Sequence, residues 1–86
     1  MKLIVQIPCF NEEESLARTL ADIPREIPGI DCVEILIIDD GSSDHTARQA
    51  ALLGVDHIVA HKQNQGLARA FRTGLEASLQ AGADVI

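Results

Sequence analysis

The stretch Glu34-Ile-Leu-Ile-Ile-Asp-Asp-Gly-Ser-Ser-Asp-His-Thr46 decides the fold of this chain. Residues 35–38 form an unbroken apolar run, which is typical of a strand that is buried on both faces of a parallel sheet. The run ends abruptly in Asp39 and Asp40, and small, hydroxyl and acidic side chains follow it. Because burying an isolated carboxylate is costly, we expect both aspartates to reach solvent, a cation or hydrogen-bond donors where the strand ends.

On either side of this stretch, short apolar segments alternate with segments of helical periodicity. Strands are predicted over residues 2–8, 33–39 and 57–61, and the start of a fourth strand over residues 84–86. Helices are predicted between them, which gives the order β-α-β-α-β-α-β. This order indicates an α/β fold with a Rossmann-like, mostly parallel sheet, right-handed crossovers and flanking helices.

Short polar residues mark the start of each predicted helix. Asn11 is predicted to cap the first helix, Ser43 or Asp44 the second, and Asn64 the third. In the third helix, small residues recur at every fourth position and form a flat face that can approach a sheet closely: Gly66, Ala70 and Gly74. An adjoining apolar stripe consists of Leu67, Phe71, Leu75 and Leu79.

The predicted site lies at one edge of the sheet. The carboxyl ends of parallel strands meet there, and open α/β sheets bind their ligands outside that edge. In this chain the edge would carry polar loops over residues 8–12, 39–44 and 61–66, and the first two are rich in carboxylates. We therefore expect the functional residues to lie in these loops.

The composition limits which ligands can bind. The formal net charge is −6 and only 2% of the residues are aromatic, which argues against nucleic acid as a partner. The chain has neither a glycine-rich dinucleotide turn nor a P-loop. Carboxylates suit the N–H edge of a base, the hydroxyls of ribose and divalent cations. These properties indicate a nucleotide that is held through its base and sugar, with its phosphates neutralised by a metal ion.

Localisation is predicted from the cysteines and from the apolar segments. Cys9 and Cys32 have no metal or redox spacing, and we expect free, mostly buried thiols in a reducing compartment. No segment approaches the ~18 apolar residues that span a bilayer, and the N-terminus has no secretory pattern. We expect a soluble, cytoplasmic chain, with peripheral attachment to the inner face of a membrane left open.

Three motifs in order resemble those of the family-2 glycosyltransferases, and most of all the branch that transfers sugars to dolichol or polyprenyl phosphate. They are Ile7-Pro-Cys-Phe-Asn-Glu-Glu13, Ile37-Ile-Asp-Asp-Gly-Ser-Ser-Asp-His-Thr46 and Asn64-Gln-Gly-Leu-Ala68. The resemblance covers essentially the whole chain. It implies that residues 1–86 are the N-terminal, nucleotide-sugar-binding part of a GT-A domain, with a UDP- or GDP-sugar as donor and Mg²⁺ or Mn²⁺ as cofactor.

The resemblance also implies roles for individual residues. The first loop would contact the nucleoside, the aspartate pair would hold the base or ribose, and a basic residue of the third helix would face the nucleotide. The residues concerned are Pro8, Phe10, Glu12, Ile38, Asp39, Asp40 and Arg72. Phe10 stands where a tyrosine is common in the family, so a hydroxyl contact would be missing while the stacking surface remains.

One departure from the family pattern concerns the metal. The family's Asp-x-Asp motif would follow Ile86, so neither the metal ligands nor a catalytic residue are expected within this segment.

The resemblance implies that the intact enzyme would transfer the sugar with inversion to a lipid phosphate or a glycan. We expect that the 86 residues alone transfer no sugar, and the sequence leaves the sugar, the base, the acceptor and the oligomeric state open.

Structural roles are the alternatives for several residues. The aspartate pair could form only a turn, Glu12 could stabilise only the first helical turn, and Asp44 is predicted to be a cap rather than a ligand. The three histidines, His45, His57 and His61, are predicted to be solvated or capping. The alternative function is a non-catalytic binding or regulatory module. A phosphoacceptor signalling domain would need an aspartate after the third strand, where His61-Lys62 stands.

Overall fold

Three parallel strands with flanking helices form the fold, and a computed structural model describes all residues 1–86. The strands are β1 (Lys2–Cys9), β2 (Cys32–Asp40) and β3 (His57–His61), and they lie in the order β1-β2-β3. The helices are α1 (Leu16–Ala21), α2 (Thr46–Leu52) and α3 (Leu67–Gln80). The predicted α/β fold class is confirmed, and β3 has the predicted bounds.

The central strand β2 supplies both halves of the core. Ile35 and Ile37 belong to an apolar cluster with Leu16 of α1 and Ala50 of α2. The residues between and after them, Leu36 and Ile38, belong to a second cluster with Ile4 and Ala70 of α3. Side chains alternate between the two faces of a strand, so an unbroken apolar run is needed when helices cover both faces.

The flat face predicted for the third helix is confirmed at Ala70 and Gly74, whereas Gly66 precedes the helix and Ser78 is the third buried residue of the face. A Cβ atom at Gly74 would lie only 2.0 Å from Oε1 of Gln6. The adjoining stripe stays largely in solvent, with Leu67 exposed by 72%. Small residues therefore set the distance between α3 and β1.

The predicted caps at the two asparagines are wrong. Asn11 has a positive φ of 53°, and α1 begins only at Leu16. Gly66 precedes α3, and the side chain of Asn64 donates to Asp40 instead. Both asparagine side chains are used in contacts between loops, which leaves neither to cap its own helix.

The segment after α3 begins to pair with the outer edge of β1. Val85 forms one parallel bridge with Leu3, and the amide of Ile4 donates to the Val85 carbonyl over 2.9 Å. The predicted fourth strand is thus present as a single bridge. It lies on the side of β1 that faces away from β2.

Candidate functional site

A cleft of about 200 Å³ opens at the carboxyl ends of the three strands. The first loop forms one side of it, and the segment leading into α3 forms the other. The lining residues are Pro8, Cys9, Phe10, Glu12, Asp40, Asn64, Gly66, Leu67 and Ala70. The cleft therefore lies where parallel-sheet topology predicts a ligand site.

The structure brings four of the seven predicted site residues together in this cleft: Pro8, Phe10, Glu12 and Asp40. Asp39 lies beside the cleft, paired in register with the lining residue Cys9. Ile38 is fully buried in the core, because its position in β2 faces α3. Arg72 is exposed on α3 outside the cleft, and its Nε lies 3.7 Å from Oε1 of Glu76.

The first loop presents an aromatic ring and a carboxylate to the cleft. The Phe10 ring is 47% exposed and lines the cleft. Oε2 of Glu12 accepts a hydrogen bond from Ser15 over 2.8 Å, and no protein donor contacts Oε1. A planar apolar face and an unengaged hydrogen-bond acceptor are thus available to a ligand.

Side-chain hydrogen bonds fix the first loop to the second. Oδ1 of Asn11 accepts from the amides of Ser43 and Asp44, over 2.8 and 3.3 Å. The hydroxyl of Thr46, which is fully buried, accepts from the amide of Glu12 over 2.9 Å and donates to Asp44. Glu12 therefore projects from a loop that is fixed to the second loop at Asn11 and at the Glu12 amide.

Asp39 and Asp40 have different surroundings although they are adjacent. Successive side chains of a strand point to opposite faces. Oδ1 of Asp39 accepts from the amide of Ser42 over 3.1 Å, and the structure contains no protein donor to Oδ2. Gln6 and Ser78 contain the only fully buried side-chain oxygen or nitrogen atoms without a hydrogen-bond partner. Oδ2 of Asp39 is not one of these atoms, so it keeps some exposure to solvent.

The Asp40 carboxylate is instead engaged within the protein. Its Oδ1 accepts from Nδ1 of His61 and from the amide of Gln65, both over 2.8 Å. Its Oδ2 accepts from the amide of Gly66 over 3.0 Å and from Nδ2 of Asn64 over 3.2 Å. Four donors saturate a carboxylate, so Asp40 holds residues 64–66, here called the 64–66 wall, against the cleft.

These contacts also determine the charge of Asp40. Burial raises the pKa of its carboxyl, but the hydrogen bonds from His61 and from the amides of Gln65 and Gly66 outweigh burial and leave the pKa below its usual value. Asp40 is therefore ionised at neutral pH. Its negative charge lies at the N-terminal end of α3, where an external phosphate would otherwise be attracted.

His61 is the site-associated residue that the sequence prediction missed. Its side chain is 10% exposed, so the predicted solvated or capping role is wrong. Nδ1 faces Asp40, and Nε2 lies 2.9 Å from Oγ1 of Thr73 in α3. A signal was present, because His61 ends its strand in register with Asp40.

Cys9 lines the cleft but is not suited to act as a nucleophile. Burial raises the pKa of its thiol to about 11, and the nearby carboxylates of Glu12 and Asp39 add to this effect. Only the thiolate is strongly nucleophilic, and it is scarce at neutral pH. The prediction of a free, buried thiol is confirmed for Cys9.

The metal ion implied by the family resemblance finds no complete set of ligands here. No group of three or more histidine, cysteine, aspartate or glutamate side chains is arranged to hold a metal ion. Asp40, the most buried carboxylate, already has four protein donors.

No helix has both the length and the hydropathy needed to cross a membrane.

Comparison with known proteins identifies the family. The model of "Glycosyl transferase family 2" matches residues 4–81, which include all three loops of the cleft. The chain belongs to glycosyl transferase family 2. The predicted resemblance is confirmed, including the branch, since the relatives include sugar transferases named for polyprenyl phosphates.

Three relatives of this family-2 chain illustrate the similarity. An uncharacterized protein of Methanocaldococcus jannaschii is 35% identical, over 91% of this chain and 30% of its own length. The undecaprenyl-phosphate mannosyltransferase of Micrococcus luteus is 31% identical, over 100% of this chain and 36% of its own length. The polyprenol monophosphomannose synthase of Mycolicibacterium smegmatis is 32% identical, over 99% of this chain and 33% of its own length. The chain therefore spans about a third of the length of these curated relatives.

Proposed function

We propose that the cleft binds the nucleotide of a UDP- or GDP-sugar, and that the intact protein transfers the sugar with inversion to an acceptor such as a polyprenyl phosphate. The observation that carries this proposal is the convergence of Phe10, Glu12 and the 64–66 wall around one cleft at the strand ends. Relatives named as an undecaprenyl-phosphate mannosyltransferase and a polyprenol monophosphomannose synthase support the choice of acceptor class.

The chemistry of the cleft favours contact with the nucleoside rather than with the phosphates. The exposed ring of Phe10 offers a stacking face, and Glu12 and Asp39 each have a carboxylate oxygen without a protein donor. Such oxygens accept hydrogen bonds from ribose hydroxyls or from the N–H groups of a base. They also repel bare phosphate, so the diphosphate should point away from them.

We assign different tasks to the two aspartates. Asp39 contacts the nucleoside directly, since Oδ2 is accessible. Asp40 acts through the 64–66 wall, since its two oxygens are already occupied by four donors. Ile38 contributes by packing beneath the site, and Arg72 would reach the nucleotide only by leaving Glu76.

The remaining features of the proposed enzyme concern parts that these residues do not supply. A divalent cation, Mg²⁺ or Mn²⁺, would neutralise the leaving diphosphate, with its Asp-x-Asp ligands following Ile86. In this proposal, residues 1–86 are one part of a larger GT-A domain. A polyprenyl-phosphate acceptor would bring the protein to the cytoplasmic surface of a membrane as a peripheral enzyme.

Calorimetric titration with UDP and GDP tests the proposal, and the two phenylalanines provide a matched pair. Phe10→Ala should weaken the preferred nucleotide about tenfold, since base–aromatic stacking contributes about 1–3 kcal/mol. Phe71→Ala is the control, because Phe71 is 53% exposed and lies outside the cleft. Equal affinities of the two variants, or no binding by the wild type, would refute the proposal.

A second pair of variants, which change the net charge equally, tests the Glu12 carboxylate. Glu12→Gln should weaken binding about fivefold by removing a charged acceptor. Glu14→Gln removes the same charge from the same loop at a position outside the cleft. If both variants weaken binding equally, the effect comes from net charge rather than from contact with Glu12.

A further inference from the structure

The contact between Asp40 and His61 continues into α3. The two residues are the last of their strands and lie opposite each other in register. On its other side, the His61 ring meets the hydroxyl of Thr73, so a chain of three side chains joins β2, β3 and α3. This row of three side chains ends at Asp40, which contacts the 64–66 wall.

The hydrogen-bonding capacities of these groups set the position of the histidine proton. The Asp40 carboxylate can only accept, so we assign the ring proton to Nδ1. In the neutral ring, Nε2 is then an acceptor, and the Thr73 hydroxyl donates to it over 2.9 Å. Asp40 therefore selects the tautomer, and Thr73 holds the ring in the orientation that presents Nδ1 to Asp40.

The Asp40 carboxylate in turn positions the wall. It has to present Oδ1 to Gln65 and Oδ2 to Gly66 at the same time, which fixes its rotation about the Cβ–Cγ bond. His61 shares Oδ1 with Gln65 and therefore holds the carboxylate in that rotation. Without His61, the carboxylate could turn and release one of the two amides.

We propose that His61 and Thr73 are positioning residues of the cleft, which hold Asp40 in the orientation that fixes the 64–66 wall. Their effect on nucleotide affinity rests on the proposed function, whereas their effect on the wall does not. Neither residue lines the cleft, so both act without touching the ligand. His57 is a natural control, since it belongs to the same strand but contacts Glu34 rather than Asp40.

Amide hydrogen exchange measured by NMR tests the effect on the wall. In Thr73→Val and His61→Gln, the amides of Gln65 and Gly66 should exchange about tenfold faster, because a charge-assisted hydrogen bond is weakened or lost. The amide of Ile37 in the core of β2 should be unaffected. A uniform rise at all three amides, or no rise at the wall, would overturn the proposal, since either result indicates at most a general structural role.

Conservative variants separate positioning from packing. Thr73→Ser keeps the hydroxyl and should restore wild-type exchange, whereas Thr73→Val keeps the shape without the hydroxyl. His57→Gln should leave Gln65 and Gly66 unchanged. If the amides of Gln65 and Gly66 exchange as fast in Thr73→Ser as in Thr73→Val, the role assigned to the hydroxyl is overturned.

Titration of the same variants with UDP and GDP distinguishes this inference from the proposed function. Thr73→Val should weaken the nucleotide about threefold if the wall lines its site. If the wild type binds neither nucleotide while the wall amides still exchange selectively faster, the proposed function fails and the positioning role stands. If nucleotide binds and the amides do not respond, the positioning role fails alone.

Discussion

Asp39 and Asp40 are chemically identical neighbours, yet the structure treats them oppositely. Asp39 accepts one hydrogen bond from Ser42 and keeps a solvent-accessible oxygen, whereas Asp40 is saturated by four protein donors. The difference follows from the alternation of side chains along β2, which directs one aspartate toward the α1 and α2 side and the other toward α3. In this pair one carboxylate keeps an oxygen without a protein donor, and the other is fully engaged with His61 and the 64–66 wall.

The largest expected effect separates the two aspartates by stability. Asp40→Ala should lower the free energy of unfolding by about 3 kcal/mol, because it leaves the His61 ring and the part-buried amides of Gln65 and Gly66 without their acceptor. Asp39→Ala should cost about 1 kcal/mol, which corresponds to the single bond from Ser42. Urea denaturation measures both values. Equal losses in the two variants would contradict the division between them.

The next effect tests how tightly the loop after Asp40 packs against the third loop. Gly41 has a φ of +72°, and a Cβ atom there would lie 2.3 Å from the amide nitrogen of Asn64. Gly29 also has a positive φ but nothing within 4 Å. Gly41→Ala should therefore cost about 3 kcal/mol and Gly29→Ala about 1 kcal/mol, the difference being the clash. Similar costs would mean that the two loops do not pack closely.

The smallest effect is on the pH dependence of stability. The folded-state pKa of Asp40 lies below its unfolded value, because its hydrogen bonds outweigh the opposing effect of burial. The contribution of ionised Asp40 to the free energy of unfolding is therefore complete above the unfolded pKa of about 3.9. It is lost as the pH falls through the lower folded-state pKa.

Denaturation of the wild type and of Asp40→Asn at several pH values measures this loss. The gap in stability between the two proteins should be fully present at about pH 5 and should shrink below about pH 4. A gap that stays constant down to about pH 3 would show that ionised Asp40 gains nothing from its surroundings.

Much of this architecture could be predicted from the sequence, because its causes are local or topological. The apolar run before Asp39 indicated a strand covered on both faces, and Gly74 indicated close approach of a helix. The order of the elements then placed three loops at one edge of the sheet. These features depend on hydrophobic periodicity, which a single sequence displays, and on the right-handed crossover, which is general to parallel sheets.

The remaining features depend on tertiary contacts that no local pattern displays. Asn11 and Asn64 have ideal capping side chains, but loops that are distant in sequence use them instead. His61 resembles a surface histidine until its strand is placed in register beside Asp40. The division between Asp39 and Asp40 likewise required knowing which face of β2 each helix covers.

One measurement tests the central claim most directly, namely that the nucleotide of a sugar donor binds in the cleft between the first loop and the 64–66 wall. The ¹⁵N-labelled protein is titrated with UDP or GDP, and amide chemical shifts are followed by NMR. We predict that the shifts concentrate at Phe10, Glu12 and Gly66 and at Ser42 beside Asp39. A second pocket, lined by Leu20 of α1 and by Val55 after α2, lies outside the cleft. Shifts confined to that pocket, or no shifts at all, would contradict the claim.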